Sequence, residues 1–134
     1  MADPKIVREW FSKADEDLNF AKHNLAEGNT FHAQICFHFQ PAAEKYLKSF
    51  IVAYDLEFEK MHNLINLLKI CSKKEPSLNS LMDQCELLNT AYIETRYPVH
   101  WPTDYTRNKA LNMQGAAEKI AQVMGGLLTN GGYL

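Results

Sequence analysis

Apolar side chains recur along the chain in steps of three and four. From Val7 they fall at Trp10, Phe11, Ala14, Leu18, Ala21 and Leu25. An α-helix turns once in about 3.6 residues, so this spacing lays them on a single stripe and predicts a helix. The polar "EGN" at 27–29 predicts its end. The next stretch, "TFHAQICFHFQPAAEKYLKSFIVAY", places Phe31, Ile35, Phe39, Ala42, Tyr46 and Phe50 along one side, with Thr30 as the expected N-cap. Cys36, Ala43 and Leu47 widen the apolar arc to about half the circumference, beyond the roughly 100° stripe of a surface helix, which predicts the central helix of the fold. Pro41 removes one backbone hydrogen bond and presses on the carbonyl of Phe37. The apolar stripe keeps its phase across it, so one kinked helix is expected rather than two.

A third, short helix is predicted in "MHNLINLLKICSKK", carrying Leu64, Leu67, Leu68 and Cys71 inward, with Pro76 as punctuation. "SLNSLMDQCELLNTAYIET" supplies Leu78, Leu81, Met82, Cys85, Leu88 and Tyr92 at helical steps, with Ser77 as candidate N-cap and Pro98 stopping the helix by Thr95 or Arg96. The last helix is expected from about Asp104 to Leu128, with Leu111, Ala117, Ile120, Met124 and Leu127 inward. No segment alternates with period two and no internal repeat is present. The pattern therefore predicts an all-α, up-and-down four-helix bundle with one short extra helix, a single domain over 1–129 followed by a frayed tail at 130–134.

Composition narrows the function classes. The 134 residues suffice for one core, and a formal net charge of −2 gives no strong general pull toward nucleic acid or anionic membrane. No stretch approaches the roughly 20 apolar residues of a membrane span, and "MADPKIVREW" lacks an apolar signal core, so a cytoplasmic protein is expected. Cys36, Cys71 and Cys85 are odd in number, form no CxxC pair and fall among apolar neighbours, as buried reduced thiols do.

Few constellations carry chemistry. His32 and Cys36 share a helical face, but two ligands do not complete a zinc site, so no metal is expected. His38 is expected to face inward as a satisfied imidazole. Glu44 and Lys48 form a favourable i, i+4 pair, expected as a solvated ion pair. Phosphate loops, nucleophile elbows and kinase motifs are missing from the sequence. The stretch "ETRYPVHWP" at 94–102 admits two readings. Arg96 at a helix C-terminus can simply cap exposed carbonyls. Alternatively, Arg96 and His100 together suit a phosphodiester: a guanidinium pairs with phosphate oxygens and an imidazole moves a proton near neutral pH.

Taken together, "WFSKADEDLNFAKHNL", "CFHFQPAAEKYLKSFIV", "MHNLINLL", "YIETRYP" and "YTRNKALNMQGAAEKIAQVM" resemble, in order, the helices of a HEPN domain, the small helical family named for higher eukaryotes and prokaryotes nucleotide-binding. The second-helix likeness rests on Phe37, His38, Gln40, Ala42, Ala43, Glu44, Lys45 and Lys48 in order. The resemblance implies a homodimeric bundle, often the partner of a minimal nucleotidyltransferase in a toxin–antitoxin pair, with no cofactor. It also implies, for many members, metal-independent ribonuclease activity from arginine, four to six residues, then histidine. Here Arg96 matches the motif arginine, but only Tyr97, Pro98 and Val99 precede His100, one residue short of that spacing. Pro41 stands where the family usually has glutamine. The reading placed first is a dimeric, non-catalytic partner with a nucleotide or RNA surface drawn from Arg96, Tyr97, Tyr105, Arg107, Lys109 and Lys45. A ribonuclease using Arg96 and His100, and a purely structural dimerisation module, are the alternatives.

Overall fold

Five α-helices and one 3-10 turn make up the described chain. The computed structural model describes residues 2–57, 60–96 and 105–134, the stretch 92–96 by its backbone alone. Helix α1 spans Pro4–Ala26, α2 His32–Ala53, α3 Leu64–Lys74, α4 Met82–Arg96 and α5 Arg107–Asn130, with the 3-10 turn at Pro76–Leu81. Strands are absent among the described residues, as the helical periodicity predicts.

Local chemistry sets the ends. The Asp3 carboxylate accepts from the Lys5 N–H and Pro4 opens α1, where a missing N–H costs nothing. Gly28 closes α1 with φ of 78°, a left-handed conformation that any side chain would strain. Thr30 is not the cap of α2: Phe31 occupies that position without a side-chain cap, and Asn29 Oδ1 instead accepts from the Phe31 N–H at 2.8 Å. Ser77 likewise does not cap α4. Its hydroxyl donates to Glu75, and Pro76 winds residues 76–81 into a 3-10 turn before the α-helix begins at Met82. Asn63 caps α3 through the N–H groups of Ile65 and Asn66.

Helix α2 is continuous through Pro41 and packs against every other helix, the central role its wide apolar arc predicts. Helices α1 and α4 flank the α2–α5 pair. The Tyr46 hydroxyl donates to Asp15 at 2.6 Å, the Phe11 and Tyr46 rings meet edge to face, and Lys45 pairs with Asp17, so α1 and α2 run antiparallel. Lys22 bridges to Glu118, tying α1 to α5 in the same sense. From the end of α2 the chain returns along the bundle. Gln40 Nε2 donates to the His62 carbonyl and Glu44 Oε1 meets His62 Nδ1 at 2.8 Å, which pins the returning segment to the middle of α2. Helix α3 then runs parallel to α2, its Cys71 thiol donating to the Leu47 carbonyl.

The core holds most of the expected positions, including Val7, Ala14, Phe39, Tyr46, Phe50, Leu67, Cys85, Ile120 and Met124. Two expected core residues are exposed: Phe31, because the chain is still in the turn there, and Leu111, which lies one position beyond the stripe set by Ala110 and Met113. The Glu44–Lys48 pair is not solvated. Their side chains are 12% and 10% exposed, because the returning segment and Trp10 cover them. The tail also departs from expectation. Helix α5 reaches Asn130, and beyond it Tyr133 is buried, its N–H donating to the Leu128 carbonyl and its ring packing on Tyr54, so apolar burial replaces fraying.

Candidate functional site

The antiparallel packing brings the C-terminus of α1, the N-terminus of α2 and the N-terminus of α5 to one end of the bundle, and α4 runs toward that end. Thr106 caps α5 by accepting from the Lys109 N–H, which holds the first turn of α5 in place. From this turn the Lys109 ammonium lies 4.5 Å from the centroid of the half-buried Tyr105 ring, a cation–π distance. The Arg107 guanidinium donates to the Leu25 carbonyl at 2.9 Å, capping α1 from a neighbouring helix.

Two cations stand at the start of α5 at this end. Cations at a helix N-terminus oppose the helix dipole and each costs about 0.3–1 kcal/mol at the surface. Arg107 and Lys109 nonetheless occupy the first turn of α5, and that turn carries no acidic residue. Helix α2 also begins here without an acid in its first turn. Two helix N-termini and two cations share this end with the C-termini of α1 and α4, whose carbonyls oppose them, and Arg107 already answers one of those carbonyls. The field reaches inward: burial pushes the Cys36 thiol up to about 11, and Lys109 pulls it partly back.

Of the residues singled out from sequence, Tyr105, Arg107 and Lys109 come together. Lys45 does not join them. It points toward α1, pairs with Asp17, and stands nine positions along α2 from Cys36, roughly 14 Å of helix away. The side chain of Arg96, together with Tyr97 and His100, lies outside the described residues; the Arg96 backbone closes α4. His38 is half-buried and flanked edge-on by the rings of Phe20 and Phe37, a more open setting than the inward one expected. Among the described residues no group of three or more histidine, cysteine or carboxylate side chains is placed to hold a metal ion. Among the same residues, no helix is long and apolar enough to cross a membrane. Burial pushes the Cys71 and Cys85 thiols up to about 12, which keeps them protonated and unreactive at neutral pH. Sequence reasoning missed that Phe20, Asn24, Phe31 and His38 line a cavity at the α1–α2 turn, because exposure of Phe20 and Phe31 depends on how the turn folds back.

These features define a helical-bundle domain with Tyr105, Arg107 and Lys109 gathered at one end. The chain belongs to the HEPN domain family, whose model matches residues 7–127. Crystal structures of similar chains agree. TT1696 from Thermus thermophilus is 29% identical, with a TM-score of 0.77 over 89% of this chain and 95% of that one. A HEPN domain protein from Thermotoga maritima, TM0613, is 26% identical, with a TM-score of 0.73 over 90% of this chain and 98% of that one. ST0689, an archaeal HEPN homologue, shares the fold at 24% identity and a TM-score of 0.73, covering 91% of this chain and 97% of that one. No match was found among curated proteins.

Proposed function

We propose that this chain is the homodimeric helical partner of a minimal nucleotidyltransferase, in a cytoplasmic pair of toxin–antitoxin type, and that its positive end receives the phosphate of a nucleotide or RNA. The observation that carries the phosphate part is the placement of Arg107 and Lys109 in the first turn of α5, against the dipole and in a turn that carries no acid. Arg107 is partly offset by the α1 carbonyl it caps and Lys109 by the Tyr105 ring, and an anion at this turn would gain from both cations. Membership of the HEPN family supports the partner role. The second reading, metal-independent RNA cleavage by Arg96 and His100, draws on their shared stretch of sequence. The three-residue spacer with Pro98 inside it opposes that reading, since two side chains must close around one phosphate.

Two measurements test this. Co-expression with a minimal nucleotidyltransferase encoded beside this chain is expected to yield a complex that co-elutes in size exclusion; separate elution at micromolar concentration refutes the partner role. Labelled RNA incubated with the purified chain and a chelator is expected to stay intact. Chelator-resistant cleavage, lost in both Arg96→Ala and His100→Ala, would instead establish the ribonuclease.

A further inference from the structure

A cavity of about 260 Å³ opens at the elbow between α1 and α2. Phe20 and Asn24 line it from α1, Asn29 and Phe31 from the turn, and Gln34 and His38 from α2. Phe20 and Phe31 are 54% and 65% exposed, forgoing the gain that burial of a phenylalanine gives. Both are nevertheless held. The Phe20 ring meets His38 with centroids 4.8 Å apart and planes at 62°, and Asn29 fixes the backbone of Phe31. The amides have polar capacity beyond their local bonds. Asn24 Nδ2 donates to the Phe20 carbonyl, which leaves Asn24 Oδ1 an acceptor; Asn29 Oδ1 accepts from Phe31, which leaves Asn29 Nδ2 a donor.

We propose that this elbow takes the base of an unpaired nucleotide, an inference that rests on the nucleotide-binding reading above. A base offers a flat π-face to aromatic walls and a hydrogen-bonding edge to amides, and the elbow supplies both. Its volume is below the roughly 300–1,000 Å³ of pockets for drug-sized ligands and suits one ring system. A cation also meets the last turn of α1. Asn24 directly precedes Leu25, whose carbonyl holds Arg107, and a guanidinium has further donors to offer. The N-cap position of α2, Phe31, also lacks a side-chain cap. A wholly apolar partner surface would strand three amides and an imidazole, so a polar-edged ring fits better.

The test is a nuclear magnetic resonance titration of the full chain with AMP, with UMP, with a short single-stranded oligoribonucleotide and with ribose 5-phosphate. Signals of Asn24, Asn29, Phe31 and Gln34 are expected to shift with the base-bearing ligands and not with ribose 5-phosphate. A shift with mononucleotides as well as the oligonucleotide identifies a free nucleotide as sufficient; a shift with the oligonucleotide alone identifies RNA. Phe31→Ala, on an exposed side chain, and Gln34→Ala are expected to weaken binding about tenfold, while Ile6→Ala, which trims an exposed apolar side chain elsewhere, leaves it unchanged. Shifts confined to Tyr105–Lys109, or unchanged affinity in both elbow variants, overturn the elbow site and leave the nucleotide reading standing. No shift with any ligand overturns both. Elbow signals that move with protein concentration alone show that a second copy covers the patch, which also overturns the site.

Discussion

Replacing Glu44 by glutamine removes one charge from a largely covered cluster. The carboxylate meets Lys48 Nζ at 3.4 Å and His62 Nδ1 at 2.8 Å, and the two members of the Glu44–Lys48 pair are only 12% and 10% exposed. Loss of one partner of a fully buried pair costs about 3–5 kcal/mol, because the other charge stays desolvated and unpaired. The Lys48 ammonium retains some solvent and lies 6.0 Å from the Trp10 ring centroid, and His62 is 43% exposed, so the cost here is smaller. About 2–3 kcal/mol is expected for Glu44→Gln. Lys48→Met alone strands the carboxylate and costs a similar amount. Both together replace an ion pair by an amide and an apolar chain of similar length, so the double variant is expected to recover most of the loss. Urea unfolding at pH 7 with an unchanged m-value is the assay. A Glu44→Gln loss under about 0.5 kcal/mol would refute the reasoning, since it would put this pair in the range of exposed ones. So would a double variant as unstable as the sum of the singles.

Three further outcomes follow from the geometry. The thiol pKa values of Cys36, Cys71 and Cys85 are raised from 9.0 to about 11, 12 and 12, so stability is full below pH 9 and falls as pH rises toward those values. The slope is roughly 1.4 kcal/mol per pH unit for each thiol, readable by unfolding at pH 8–10.5; a flat profile contradicts their burial. Tyr46→Phe removes the hydroxyl that donates to Asp15 and is expected to cost about 1.5–2 kcal/mol in thermal unfolding, the lower part of the range for bonds to charged groups because Asp15 is partly exposed. Gly28→Ala places a side chain at φ of 78° and is expected to cost about 1–2 kcal/mol in the same assay; an unchanged midpoint would mean that the turn readily adopts another conformation.

Helix existence and the central place of α2 were legible because burial imposes a period that amphipathic sequence must follow. The wide arc through Cys36, Ala43 and Leu47 pointed to a helix surrounded on most sides, and α2 is that helix. What escaped was tertiary. Glu44 and Lys48 read as a surface pair because nothing in α2 announces that the segment before α3 folds back over them. The grouping of Tyr105, Arg107 and Lys109 was partly visible, since they are close in sequence, whereas the separation of Lys45 depends on which neighbour its face meets. The packed tail was hidden behind "GG", which signals a break in helix and says nothing of Tyr133 finding Tyr54.

The turn at residues 27–31 has a kinetic consequence. It joins α1 and α2, two long helices in extensive contact, by a connection of only a few residues, and Gly28 sets its course. Loop closure this short takes on the order of tens of nanoseconds, so the α1–α2 hairpin can assemble before the longer return to α3 is ordered. A hairpin that forms first would serve as the folding nucleus. Damage at Gly28 should accordingly slow refolding while leaving the unfolding rate nearly constant, whereas damage at Glu44, which fastens the later-arriving segment, should chiefly speed unfolding.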